Sequence, residues 1–390
     1  MSEWKTVRLG DVCEIAAGQG APQGDSNYCN DGTPFVKAGN LIELIEGKHE
    51  NQIQKVSEEV AKSHKLKKYS AGSILFAKSG MSCMKGYVYQ LKNDSYVVSH
   101  LAIVKPKEDS SNYIEYCLRH IKPNTLVKDE AYPSISLQDI SNIQIPLPPL
   151  EEQKHIANVL DKCTVLIAKY KKMLAKYDTL IKSRFIEMFG ENPIDNGKWD
   201  VRSLDNLCTV TSSKRIYAEE QSSCGVPFLR ISDLVSRING FPTNELFIPN
   251  KKFKEFREKS LVPVVDDILI TSRGTLGLCY IITPDDEFYF QDGMITWLAF
   301  ENHNEILSIF IDWLFKTILK MKIDNETNGA TVKYISISDL KNLKIPVPPL
   351  SLQNQFAAFV HQIDKSKFAV QKSLEKTETL YKSLMQEYFG

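Results

Sequence analysis

The chain of 390 residues is most informative first for what it lacks. Its eight cysteines, at 13, 29, 83, 117, 163, 208, 224 and 279, contain no CxxC pair, and the seven histidines do not gather around them. That spacing argues against a zinc site and against a disulfide framework, and reads as buried free thiols in a reducing cytoplasm. There is no apolar run of about 18 residues, so no membrane span is expected. The richest stretch, LSIFIDWLFKTILKMKI from Leu307, is broken by Asp312 and several lysines and reads as an amphipathic helix. The opening MSEWKTVRLGDVCEIAAG has no hydrophobic core of a signal peptide.

Net charge is also missing: 48 basic groups balance 48 acidic ones. A sequence-independent nucleic-acid binder usually carries a positive excess, so any DNA affinity must come from local patches or from a partner. Enzyme motifs are equally scarce. GQG at Gly18 is a lone G-x-G without the rest of a dinucleotide fingerprint, and no GxxxxGK[ST] occurs. No Asn/Asp-Pro-Pro-aromatic tetrad of an amino-methyltransferase is present. PDDEF at Pro284 lacks the lysine of a nuclease site and reads as an acidic turn. No Ser/His/Asp or Cys/His spacing stands out, and a triad assembled in space stays open at this point.

What the chain does contain is itself, twice. IPLPPLEEQ at Ile145 returns as IPVPPLSLQ at Ile345. Aligning each residue from 134 to 190 with the one 200 positions later needs no gap, and roughly 21 of 57 positions are identical. Upstream the match is fainter: Trp4, Leu9 and Cys13 correspond to Trp199, Leu204 and Cys208. DGTPFVKAGNL at Asp31 answers CGVPFLRISDL at Cys224, and GSILFAKSG at Gly72 answers DDILITSRG at Asp266. The repeat divides the chain into a first globular domain (1–150), a first repeated helix (151–190), a second globular domain (191–345) and a second repeated helix (346–390).

Each globular region mixes patterns. VVSHLAIV at Val97 and FYFQDGMITWLAF at Phe288 look like strands, while NYIEYCLRHI at Asn112 and FIDWLFKTIL at Phe310 have helical spacing. The fold class is therefore α/β (α+β): two similar mixed domains and two long helices. The proline phrase reads as an extended exit from a domain followed by a helix start, with Glu151 and Glu152 in the first turn where the helix dipole favours them. Behind it, Ile156, Leu160, Cys163, Ile167, Tyr170, Leu174, Tyr177 and Ile181 step by four and three, a heptad seam. Val159, Leu166, Met173 and Leu180 add a second stripe. The second copy offers Phe356, Val360, Ile363, Val370, Leu374, Tyr381, Leu384 and Tyr388, with Lys367 and Thr377 interrupting. About 38 residues of helix span roughly 57 Å. Two such helices in one chain can pair, and an antiparallel pair would hold two domains apart by an approximate two-fold. The second stripe leaves apolar surface for partners. The plainer alternative packs each helix on its own domain.

Two IPxPPLxxQ phrases, each opening a long helix after a variable domain, resemble the specificity (S) subunits of type I restriction–modification systems. The approaches Ser-Ile-Ser-Leu-Gln-Asp-Ile at Ser134 and Tyr-Ile-Ser-Ile-Ser-Asp-Leu at Tyr334 fit the same family. Glu152 matches the family's usual Glu before Gln, and Leu352 departs from it. The resemblance implies two target recognition domains, each reading one half of an asymmetric, split sequence in double-stranded DNA. It implies a helical spacer that docks two modification (methyltransferase) subunits, joined by restriction (endonuclease and translocase) subunits. It implies that this chain is a non-catalytic subunit and that the assembled complex would be an adenine methyltransferase and ATP-dependent endonuclease, with AdoMet, ATP and Mg on the partner subunits and no cofactor or metal in this chain. The alternatives left open are a specificity subunit serving a fused methylase-nuclease, and a coiled-coil scaffold that binds no DNA.

Base readers are expected among polar groups on glycine-containing loops that recur in both halves. AKSGMSCMKGY at Ala77 and TSRGTLGLCY at Thr271 offer Lys78, Ser79, Lys85, Ser272, Arg273 and Thr275. Lys37 and Arg230 follow matched PF(V/L) strands. The loop after the first strand offers Gln19 in one half, and Lys214 and Arg215 in the other. For each, a solvated surface charge is the bland alternative, and phosphate contact is commoner than base contact. HKLKKY at His64 reads as a solvated basic cluster.

Overall fold

The computed structural model describes residues 4–241, 246–301, 303–319 and 334–390. It divides into two compact units: Met1–Lys171 with Lys372–Gly390, and Lys172–Gln371. Each is built from the same three sheets.

In the first unit, β1 (Thr6–Arg8), β2 (Cys13–Ala17), β3 (Thr33–Val36), β4 (Lys55–Val56), β5 (Ile74–Ala77), β6 (Val88–Gln90), β7 (Tyr96–Val97), β8 (Leu101–Pro106) and β9 (Gln144–Pro146) follow in sequence. A four-stranded sheet runs β2-β8-β5-β6, a three-stranded one β4-β3-β7, and β1 pairs with β9. The second unit repeats this order. Its strands are β10 (Asp200–Ser203), β11 (Thr209–Thr211), β12 (Val226–Leu229), β13 (Phe247–Ile248), β14 (Ile268–Thr271), β15 (Cys279–Ile281), β16 (Tyr289–Phe290), β17 (Ile295–Ala299) and β18 (Lys344–Val347). They form sheets β11-β17-β14-β15, β13-β12-β16 and β10-β18. The four-stranded sheets are antiparallel throughout. β3 with β7 and β12 with β16 are the parallel pairs.

One expectation is corrected in both halves. VVSHLAIV and FYFQDGMITWLAF are not single strands. A turn at Ser99–His100 separates β7 from β8, and one at Asp292–Gly293 separates β16 from β17. The break lets one apolar run serve two sheets, so its residues are buried on both sides of the turn rather than alternating. The helix expected at Phe310 runs as Ser308–Leu314 and loosens into a wider turn over Phe315–Leu319. The remainder of that apolar stretch, 320–323, lies outside the described residues.

The proline phrase does what its chemistry dictates. Its first residues form β9 and β18, antiparallel to the strand that opens each domain: Val7 lies opposite Ile145, and Val201 opposite Pro346. Each domain thus has its entry and exit zipped together. The prolines then end pairing, and long helices begin at Leu150 and Leu350, each 40 residues, or roughly 60 Å. Pro149 and Pro349 sit one position ahead of the helix, their carbonyls accepting its first bonds from Glu152 and Gln153, and from Leu352 and Gln353.

The phrase's glutamine is its buried element. Gln153 is 1% exposed. Its Oε1 accepts from the Ser110 amide at 3.0 Å, and its Nε2 donates to Asp109 Oδ1 at 2.8 Å and Pro148 O at 2.9 Å. Gln353, fully buried, accepts from the Leu307 amide at 2.9 Å and donates to Glu305 O and Pro348 O at 2.9 and 2.8 Å. In both copies this amide ties the proline turn to the segment entering the domain's own core helix. The substitution of Glu152 by Leu352 leaves that clamp untouched.

Each unit contains one segment of each long helix, and within each the two run antiparallel. In the first, Ile156, Ala157 and Leu160 share a core with Tyr113, Tyr116 and Met385, while Tyr381, Leu384, Tyr388 and Phe389 pack against it. In the second, Ile181, Phe185 and Phe189 meet Phe356 and Val360 around Phe310. The Phe185 ring lies 5.6 Å from Phe310 and 5.4 Å from Phe356.

Candidate nucleic-acid interface

The residues expected to read bases fall on loops at one end of the four-stranded sheets, and the register aligns them between halves. Ser79 forms a backbone bridge to Ser134, as Arg273 does to Tyr334, so Ser79 and Arg273 are equivalent. Lys37 and Arg230 each follow the middle strand of the three-stranded sheet. Counting along β2 and β11 from their pairing with β8 and β17 makes Gln19 equivalent to Lys214.

In the second unit three of the expected residues converge. Arg215, Arg230 and Arg273 line one open cleft of about 430 Å³, together with Gln221, Gln291 and Asp292. Two of these arginines are held by carboxylates. Arg215 Nε donates to Asp292 Oδ2 at 2.8 Å, which raises the pKa of the guanidinium further. Arg230 grips Asp233 through Nε and Nη2 at 2.9 and 3.3 Å, and the same carboxylate receives the Arg230 amide. Arg273 is exposed and has an aromatic neighbour instead, its guanidinium carbon 5.0 Å from the Tyr334 ring centre. Lys214 is exposed, and its amide donates to Tyr289 Oη at 2.8 Å. Thr275 is exposed on the same loop as Arg273.

Ser272 is a correction. It is 2% exposed, and its Oγ lies 2.6 Å from Thr296 Oγ1 between β14 and β17. It lies just past the end of β14 (Ile268–Thr271), and its hydroxyl pair anchors the loop that carries Arg273.

The first unit presents different groups. Lys37 is half-buried, donates to Gln54 Oε1 at 2.7 Å and lies over the Tyr28 ring at 4.3 Å. Ser79 Oγ stands 2.8 Å from His100 Nδ1, a neighbour the sequence did not single out. Lys78 is half-buried and Lys85 exposed. Gln19 is engaged with the basic stretch at His64: its Nε2 donates to Lys65 O at 2.8 Å, and its Oε1 accepts from the Lys67 amide. That clamp places HKLKKY beside the candidate loop. Gly18 has a structural reason, since a Cβ there would stand 2.2 Å from Val98 O. Among the described residues, no group of His, Cys, Asp or Glu is arranged to hold a metal.

On the long helices the seam residues differ in burial. Ile156, Leu160, Ile181, Phe356, Val360 and Leu374 are buried, while Ile167, Ile363 and Leu384 are half-buried, as is Leu174. The second stripe is largely wet: Val159 and Met173 are half-buried, Leu166 is 40% and Leu180 47% exposed. Val165, Phe368 and Leu380 are also exposed, Phe368 at 72%.

Comparison with known proteins gives one consistent result. The family model "Type I restriction modification DNA specificity domain" matches residues 1–175 and again 196–378. The MjaVIII type I restriction enzyme specificity subunit of Methanocaldococcus jannaschii is 24% identical, over 98% of this chain and 91% of that protein. The EcoDI specificity subunit of Escherichia coli is 20% identical, over 99% and 88%. The crystal structure of a type I restriction-modification S subunit from M. genitalium superposes with a TM-score of 0.64 at 16% identity, over 99% of this chain and 96% of that one. A chain from a structural study of type I system assembly gives 0.55 at 17% identity, over 100% and 98%. No described helix is long and apolar enough to cross a membrane.

Proposed function

The chain belongs to the type I restriction-modification DNA specificity family and carries two copies of its domain, and from that premise we propose that each copy reads one half of a split, asymmetric DNA target. The observation that carries this reading is the pairing of one scaffold with two sets of side chains. Identical sheet orders present Gln19, Lys37 and Ser79 at one set of positions and Lys214, Arg230 and Arg273 at the equivalents. A shared backbone with different polar groups at matched points suits two different half-sites. Lys78, Lys85, Arg215 and Thr275 flank these positions and supply phosphate or base contacts.

The paired helices fix the distance between half-sites, as the body of a dimeric reader does. Their exposed apolar residues, Val165, Leu166, Leu180, Phe368 and Leu380, dock two methyltransferase subunits, which restriction subunits join. Those partners bring AdoMet, ATP and Mg and do the chemistry, while this chain chooses the site within the cytoplasm. Zero net charge agrees with a division in which partners supply much of the phosphate clamp.

Methylation-resolved sequencing of the host genome, with and without the gene, tests the reading. An asymmetric split motif whose methyladenine vanishes on deletion is the expected result. A methylation pattern unchanged by deletion in a host with an active methyltransferase partner overturns it in favour of the scaffold.

A further inference from the structure

The second-unit cleft holds three arginines, but their circumstances are unequal. Arg230 spends both arms of its fork on Asp233, and Arg215 is paired with Asp292. Arg273 has no carboxylate partner among the described residues and rests on the Tyr334 ring. Its backbone is fixed from both sides. Tyr334 bridges it, Ile335 donates to Ser272 O at 3.0 Å, and the buried Ser272–Thr296 hydroxyl pair pins the preceding residue. Gly274, at φ +70° with open space where a Cβ would be, follows at once. A side chain there would obstruct close approach of a duplex, and the left-handed turn aims Arg273 outward.

A planar guanidinium with its terminal nitrogens unspent matches two adjacent acceptors. In the major groove guanine alone offers that pair, O6 and N7. The attraction between the guanidinium and the aromatic face, 5.0 Å apart, restrains the side chain before binding, which lowers the ordering cost. We propose that the second unit reads its half-site through Arg273 on a guanine, with Tyr334 as the positioning platform. This rests on the recognition role proposed above and names the base it requires. The first unit does not share the requirement, because the equivalent residue is Ser79, a short hydroxyl held by His100 that matches no base uniquely.

The test uses the full chain with its methyltransferase partners. Methylation rates are measured on duplexes carrying each base at every position of the split motif, for the wild type, Arg273→Ala, Arg273→Gln and Tyr334→Ala. In the wild type one position in one half-site requires guanine, by roughly 5- to 150-fold over other bases. Arg273→Ala removes that preference and leaves every other position unchanged. Arg273→Gln moves the preference toward adenine, and Tyr334→Ala weakens it at the same position. Arg273 is exposed, so these variants fold. If Arg273→Ala slows all sequences alike, or relaxes a position that was not guanine, the assignment falls while the recognition role stands. If no split motif exists, both fall.

Discussion

Replacing Gln153 by leucine tests whether the repeated phrase is a clamp or only a spacer. Leucine keeps most of the volume and removes every hydrogen bond. Asp109 can turn to water, but the Ser110 amide and the Pro148 carbonyl lose their partner beside a side chain that is 1% exposed. Each buried orphan costs about 1–3 kcal/mol, so the first unit should lose roughly 2–6 kcal/mol. At a urea dependence of about 1–3 kcal/mol per molar, its midpoint falls by about 1 M or more. Gln353→Leu orphans three backbone groups, Leu307 N–H, Glu305 O and Pro348 O, and should cost the second unit at least as much. Hydrogen exchange read by mass spectrometry localises the damage: faster exchange around Ser110 in one variant and around Leu307 in the other. Unchanged midpoints, or loss of protection in the unit that does not hold the substituted glutamine, would refute the clamp.

Three further outcomes follow from the packing. Alanine at Leu160, Ile167 and Leu174 together should abolish recovery of partner subunits in a pull-down. The fully buried Leu160 alone should cost about 2–5 kcal/mol, and intact complexes from the triple variant would refute the seam. Alkylation at pH 8 should label Cys224, the exposed thiol, well before Cys13 and Cys208, whose pKa values burial pushes up to about 12 so that no thiolate forms until unfolding. Mass spectrometry counting early labels on either of those two would contradict the packing around them. Exchanging residues 1–144 for the matching part of a relative should change one half of the methylated motif only, and a change in both halves would sink the modular reading.

The sequence made the repeat, the proline strand and the long helices legible, because each rests on local rules: proline's missing donor, a period of 3.5, a constant offset of 200. It showed that Gln153 and Gln353 recur, not why. Their partners lie 43 and 46 residues upstream, where no local pattern marks them. The strand breaks at His100 and Gly293 were hidden because residues on either side are apolar and buried alike. The burial of Ser272 was not legible, because a residue just past a strand's end has the same composition whether it faces solvent or a neighbouring strand. The gathering of Arg215, Arg230 and Arg273 is tertiary: three chain segments meet, and only the carboxylates beside two of them distinguish the third.

That distinction bears on how such a scaffold diversifies. The fixed features sit at the ends of each domain: the strand pairing of Val7 with Ile145 and of Val201 with Pro346, the glutamine clamp, and the aromatic packing of Tyr113 and Phe310 against the long helices. None of these touches the loops that carry Ser79 or Arg273. On the reading proposed above, a serine-to-arginine difference at one bridged position would alter which base edge is read without altering a strand, a core residue or a clamp. On that reading recognition would change at little cost in stability, because the varying residue lies outside the shared core. Lys78 and Ser272 occupy the neighbouring position, and the buried hydroxyl pair with Thr296 in the second half has no equivalent in the first, where Ala102 takes the place of Thr296. Each loop has its own ties: the Ser272–Thr296 hydroxyl pair in the second half, and in the first Ser79 Oγ at 2.8 Å from His100 Nδ1 with the Gly80 amide donating to Pro133 O at 2.9 Å.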